Sequence, residues 1–270
     1  MTWPHQVLGD VAAPPVLFLH GFLGSGADWL PVAGPLSRDY FCILPDLPGH
    51  AAHTQIPFDE PLTFDGLSAG IGDLLDELSI PQVNVVGYSL GGRAALHFAC
   101  TQPARVRALI LESASPGIED AMEREKRAAL DDERASTLLR VGLEAFVDVW
   151  YAAPLWGSLR RKPALLAQVK AQRAGQEARW MAKVVRELSP GRMPSLWGSL
   201  PLVGPALLLA GEEDAHYAGL IPRMASLISK AEFQIITDAG HNLHVEEPGL
   251  FLSVISAFLY NSGNIFRRQE

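Results

Sequence analysis

Short apolar runs recur along the chain at intervals that leave room for a helix between them. Val16–His20, Phe41–Leu44, Val83–Tyr88, Ala108–Glu112, Ala206–Ala210 and Phe233–Ile236 are brief, rich in Val, Ile and Leu, and bounded by Gly, Pro or Asp. That is the pattern of buried strands. Between them the period changes. Leu67, Ile71, Leu74, Leu75 and Leu78 trace one face of a helix over Leu67–Leu78, because every third or fourth residue returns to the same side. Leu90–Cys100 follows its strand at once, and Pro248–Tyr260 opens with a proline suited to a first helical turn. Strands alternating with helices predict βαβ units and a mostly parallel central sheet flanked by helices.

The alternation stops near Ser115 and resumes near Leu202. In between, Ile118–Glu133, Leu143–Tyr151, Pro163–Arg173 and Gln176–Leu188 read as helices, with no strand candidate among them. No repeat or low-complexity linker interrupts the chain. The expected architecture is an α/β core built from residues 1–115 and 196–270, with residues 116–195 inserted as a helical lid.

Composition then narrows the function classes. Hydrophobic residues make up 48% of the 270 and charged residues 19%, which fits a globular chain and not a disordered one. The formal net charge of −8 argues against a sequence-independent grip on nucleic acid, which needs a basic surface. No apolar run approaches the ~20 residues of a membrane span, and Met1 to Gly9 lacks a basic segment leading into an apolar stretch. A cytoplasmic protein with no membrane partner, monomeric or weakly homo-oligomeric, is expected. Cys42 and Cys100 lie in apolar surroundings and read as buried thiols, not as a disulfide framework or a metal site.

Gly87-Tyr88-Ser89-Leu90-Gly91 fits G-x-S-x-G, with an apolar strand before it and a helix after it. The glycines are needed because side chains beside a sharp strand-to-helix turn would crowd it. A serine hydroxyl at its ordinary pKa is a poor nucleophile or base and needs a histidine. His241 follows the last strand candidate, and Asp214 follows Ala206–Ala210. The order Ser89, Asp214, His241 suits a triad at the C-terminal ends of strands. His244 is the competing base, Glu212, Glu213 and Asp238 are competing acids, and His20 reads as a brace for its loop. The backbone N–H groups of Phe22, in His20-Gly21-Phe22-Leu23-Gly24, and of Leu90 are candidates for an oxyanion hole.

The sheet pattern, elbow, HG loop and late Asp and His resemble the α/β-hydrolase superfamily across the whole chain. More narrowly, the chain resembles the SHCHC synthase family (2-succinyl-6-hydroxy-2,4-cyclohexadiene-1-carboxylate synthase) of menaquinone biosynthesis. That likeness rests on Asp46-Leu47-Pro48-Gly49-His50, Gly87 to Arg93, Ser115-Pro116-Gly117, Trp150-Tyr151 with Pro154, and Ala239-Gly240-His241-Asn242. One departure stands out: Ala51 occupies the place where such proteins usually have glycine. The resemblance implies a lyase that removes pyruvate from an enolpyruvyl-cyclohexene carboxylate. In it the serine, relieved of its proton by His241, acts as base on a ring C–H. Neither metal nor organic cofactor is implied.

The charge distribution points the same way. Residues 119–192 hold 14 Lys and Arg against 11 Asp and Glu, a net +3, while the remainder is strongly acidic. A basic lid over an acidic core favours a small anionic substrate, a di- or tricarboxylate, and arginine forks suit carboxylates. Arg93 lies one helical turn beyond Ser89 on the same face. Arg127 and Arg173 fall at the family's carboxylate-binding arginines, with Arg124 and Arg179 as near alternatives. Tyr88 and Trp150 are expected pocket walls. Two other functions remain open: a carboxylesterase or meta-cleavage-product C–C hydrolase with the same triad, and a non-catalytic binding protein of this fold.

Overall fold

The computed structural model describes residues 3–51 and 53–267. The expectation about a leader rests partly on residues 1 and 2, which lie outside that range. Seven strands form one sheet in the order β1-β3-β2-β4-β5-β6-β7. They are β1 (His5–Leu8), β2 (Pro15–Leu19), β3 (Phe41–Pro45), β4 (Val83–Tyr88), β5 (Val106–Glu112), β6 (Ala206–Gly211) and β7 (Ala231–Ile236). β1 runs antiparallel to β3, and every other pairing is parallel.

Continuous apolar runs make sense here because both faces of the sheet are covered. Leu17, Leu19, Ile43, Val85, Leu109, Leu111 and Leu208 point into one core layer. Val16, Phe18, Cys42, Val86, Ile110 and Leu207 point into the other. The first layer is closed by α2 (Phe64–Glu77) and α3 (Leu90–Thr101), the second by α1 (Leu30–Leu36) and α11 (Pro248–Arg267). Each fully buried Leu, Ile or Val contributes about 1.5–3 kcal/mol, so the strands are held by burial on both sides. Cys42 and Cys100 are buried free thiols, and desolvation pushes them up to about 12 and about 11.

One strand departs from the expectation of burial. In β7, Phe233 is 46% and Ile235 40% exposed. The strand has a neighbour on one side only, so its apolar residues sit at the rim of the sheet.

Between β5 and β6 the chain forms only helices: α4 (Ala121–Val141), α5 (Leu143–Ala152), α6 (Gly157–Arg160), α7 (Pro163–Arg173) and α8 (Ala178–Glu187), with short 3-10 turns. α4 begins later and runs further than Ile118–Glu133. Asp120 caps its start by accepting from the Glu123 N–H at 2.9 Å. Its end comes at Gly142, whose φ of +82° suits glycine. Trp180, Met181, Val184 and Val185 of α8 are buried in the first core layer, fastening the insertion to the sheet domain. The chain closes with α9 (Ala215–Leu227), α10 (Leu243–Glu246) and α11. Among the described residues no helix is long and apolar enough to cross a membrane.

Candidate active site

Ser89 sits between β4 and α3 with φ +51° and ψ −106°, a backbone conformation that L residues adopt only when their surroundings enforce it. Its N–H donates to the Glu112 carbonyl at 2.9 Å, and its own carbonyl accepts from the Arg93 N–H at 3.0 Å. The glycines permit the turn. A Cβ on Gly87 would lie 2.6 Å from the Gly91 carbonyl oxygen, and one on Gly91 would overlap the Leu19 carbonyl. A serine at a helix start ordinarily caps the first turn. Here the hydroxyl makes no capping bond and faces His241 instead.

The Ser89 Oγ lies 3.0 Å from His241 Nε2, and His241 Nδ1 lies 2.6 Å from Asp214 Oδ2. Asp214 follows β6, and His241 lies beyond β7, so parallel pairing brings both to the strand ends beside the elbow. Asp214 and His241 are buried. The carboxylate thus holds the imidazole with its Nδ1–H fixed and its Nε2 free to take the serine proton. The competing residues are occupied elsewhere. His244 binds Glu112 through both its backbone N–H (3.1 Å) and Nδ1 (2.7 Å), and its ring stacks on Trp29 at 4.0 Å. Glu213 pairs with Arg161, and Glu212 and Asp238 are exposed.

Among the described residues, neither the Phe22 nor the Leu90 N–H donates to a protein acceptor. Leu90 is the first residue of α3, so its amide adds the positive end of the helix dipole. Both residues border the same cavity as Ser89. His20 braces this loop as expected: its Nε2 accepts from the Leu47 N–H at 2.9 Å, and its Nδ1 bonds the Gly21 carbonyl at 2.8 Å. Only a neutral ring can do both. Burial accordingly lowers its pKa to about 3, and burial drives His50, 4.9 Å away, well below its usual value.

That burial has a pH consequence. Unfolded histidines take a proton near pH 6.5 while these two stay neutral when folded, so the unfolded state binds more protons below that pH. Stability should fall on acidification by about 1.4 kcal/mol per pH unit for each ring. Urea unfolding between pH 6.5 and 4.5 is expected to show a slope shallower by about that amount in His50→Asn. An unchanged slope would mean that His50 is already protonated in the fold.

A cavity of about 280 Å³ opens above the serine. Phe22, Leu90, Arg93, Arg127, Trp150 and His241 all line it. Arg93 is buried, donates from Nη1 to the Leu188 carbonyl at 2.8 Å, and lies 5.2 Å from the Phe64 ring centre. Burial lowers its pKa to about 10, which leaves it charged at neutral pH. Trp150 meets Phe22 edge-on at 5.2 Å and stacks with Phe146 at 5.9 Å. It therefore forms a wall and also joins the insertion to the loop after β2.

One expected wall residue, Tyr88, and one expected carboxylate-binding arginine, Arg173, stand outside the cavity lining. Tyr88 does not line the cavity: its ring packs against His241 and His244 at 5.3 and 4.9 Å. Burial, with Glu112 nearby, keeps its phenol protonated. Arg173 is drawn away by charge pairing. It donates from Nη1 to both Asp28 oxygens at 2.8 and 2.7 Å, with both partners nearly buried. Gln176, just after α7, donates to the Gly24 carbonyl at 2.8 Å and accepts from the Ala51 N–H at 2.8 Å. Ala51 has φ +44°, so the departure from glycine falls where a side chain is strained.

Arg134, Asp131 and Ser189 also line the cavity and were not singled out from sequence. The spacing of Arg127 and Asp131 was the available signal, since i and i+4 on a helix are neighbours. Tyr217, three residues past Asp214, lines it too and lies 5.1 Å from the His241 ring.

Residues 14–248 match the family described as alpha/beta hydrolase fold. A 2-succinyl-6-hydroxy-2,4-cyclohexadiene-1-carboxylate synthase of Yersinia pseudotuberculosis is 32% identical over 253 residues, covering 93% of this chain and 89% of that protein. The Arabidopsis thaliana protein PHYLLO, chloroplastic, is 32% identical over 94% of this chain, which spans only 16% of that longer protein. The structure of MenH from S. aureus superposes with a TM-score of 0.92 at 34% identity, covering 97% of this chain and 100% of that one. The chain belongs to the α/β-hydrolase fold family and, within it, to the family of 2-succinyl-6-hydroxy-2,4-cyclohexadiene-1-carboxylate synthases.

Proposed function

We propose that this protein is a lyase that eliminates pyruvate from 2-succinyl-5-enolpyruvyl-6-hydroxy-3-cyclohexene-1-carboxylate (SEPHCHC), giving SHCHC in menaquinone biosynthesis. The observation that carries this reading is the hydrogen-bonded chain Ser89–His241–Asp214 opening onto a cavity walled by arginines. A simple ester would need the first feature but not the second.

In this mechanism His241 withdraws the Ser89 proton, and the serine oxygen removes a proton from the ring carbon beside the succinyl ketone. The developing enolate oxygen sits against the Phe22 and Leu90 amides. The ring double bond then shifts, the C–O bond to the enolpyruvyl group breaks, and the leaving enolate oxygen takes the proton held by the His241 imidazolium, giving an enol that tautomerises to pyruvate and a neutral imidazole. Asp214 stabilises the imidazolium in between. The reaction consists of proton transfers and one C–O cleavage with no change of overall oxidation state, so no cofactor is called for. Residues 116–195 act as the lid that closes over a small carboxylated substrate. The same reading places the protein in the cytoplasm, without a nucleic-acid or membrane partner.

Purified protein mixed with SEPHCHC should release pyruvate, read by a lactate-dehydrogenase couple, in step with growth of diene absorbance. Rapid turnover of aryl esters with neither signal would overturn the proposal in favour of an esterase.

A further inference from the structure

We propose that Arg134 is a substrate-carboxylate contact in this cavity, an arginine of the wall beyond Arg93 and Arg127. The inference rests on the proposed function and names one of its recognition residues.

Charge accounting at the cavity leads there. Arg173 is committed to Asp28 through two short hydrogen bonds and does not border the space above Ser89. Arg134 does border it. Asp131, buried, is shared by three donors: Arg127 Nε at 2.9 Å, Arg134 Nη1 at 2.7 Å and Ser189 Oγ at 2.6 Å. One carboxylate therefore holds two arginines in place while neutralising only one of them. With Arg93, whose bond goes to a carbonyl, the wall carries an excess of positive charge.

The arrangement also leaves donors to spare. A guanidinium has five N–H groups, and Arg134 places only Nη1 on Asp131. Its carbon lies 5.5 Å from the Trp150 ring centre, and the ring braces it by cation–π attraction. Arg127 spends its Nε, keeping both terminal nitrogens for a bidentate carboxylate. Arg127 and Arg134 are two helical turns apart on α4, and Asp131 between them sets their spacing. Such a pair of arms suits a ligand with more than one carboxylate; SEPHCHC bears three, on the ring, the succinyl arm and the enolpyruvyl arm.

The test uses the full chain. Arg134→Gln should raise KM for SEPHCHC at least about tenfold while changing kcat by less than about threefold, because a uniform binding contact is lost. Arg134→Lys, which keeps the charge but not the fork, should recover part of that loss. Arg173→Gln, which breaks the buried pair with Asp28, should instead lower the melting temperature. In a Ser89→Ala background, which binds without turnover, calorimetric titration with SEPHCHC should show the same loss of affinity on adding Arg134→Gln. A KM and an affinity both within about twofold of the parent would overturn the inference and leave the proposed function standing. Binding that depends on Arg134 without any wild-type turnover would sink the reaction and keep the contact. Absence of binding to the Ser89→Ala protein would overturn both. If Arg134→Gln does not fold, Arg134→Met, which keeps most of the side-chain stem without its charge, is judged by the same criteria.

Discussion

Ser89→Ala is expected to reduce pyruvate release from SEPHCHC by about 10³–10⁴-fold, a loss of some 4–5.5 kcal/mol of transition-state stabilisation. The size follows from geometry. Among the described residues Ser89 Oγ bonds only His241 and caps nothing, so its removal deletes the base and leaves the backbone as it was. The alanine inherits the same φ of +51°, and the melting temperature should hardly move. KM should stay near its parent value because the arginine wall is untouched. Single-turnover assays with a coupled pyruvate readout decide the matter. Activity within about tenfold of wild type would place the base elsewhere and remove the serine from the mechanism.

Gly91→Ala should damage the fold severely. Its Cβ would overlap the backbone carbonyls of both Leu19 and His20 at the end of β2. Neither can swing aside as a side-chain tip would. Relief requires α3 to move off the sheet, opening the core beneath Leu90, Ala94 and Leu96. A loss beyond about 4 kcal/mol is expected, equivalent to more than about 8 °C in melting temperature for a chain of this size. Gly219→Ala is the matched control. It lies in α9 with nothing near its Cβ and should gain about 0.5–1 kcal/mol from helix propensity. Thermal melts of both variants check the contrast, and a Gly91→Ala melt near wild type would refute the close approach.

The central strands were legible in sequence because a sheet covered on both faces demands unbroken apolar runs. β1 escaped notice: it has four residues, half-exposed, on an edge. α1 and α9 escaped because Pro35 and Pro222 lie inside them, and proline argues against a helix interior. The run of β7 looked buried because hydropathy does not distinguish a central strand from an edge. At the site, local turn chemistry made the elbow, His241 and Asp214 readable. The lid arginines were less so. Whether a guanidinium faces a cavity depends on which carboxylate competes for it. Asp28 is 145 residues from Arg173 in sequence, beyond the reach of helix spacing. Arg134 could have been noticed, since Asp131 lies three residues before it on the same helix, but a charge pair on a helix surface is usually only that.

The tie between α7 and the loop after β2 also bears on how the oxyanion loop is held. Arg173 pairs with Asp28 nearly out of water, and Gln176 bonds Gly24 and Ala51 beside it. Removing one partner of such a buried pair costs about 3–5 kcal/mol, so this junction is a firm point of attachment, and loosening it would disturb the loop that carries the Phe22 amide beside Ser89.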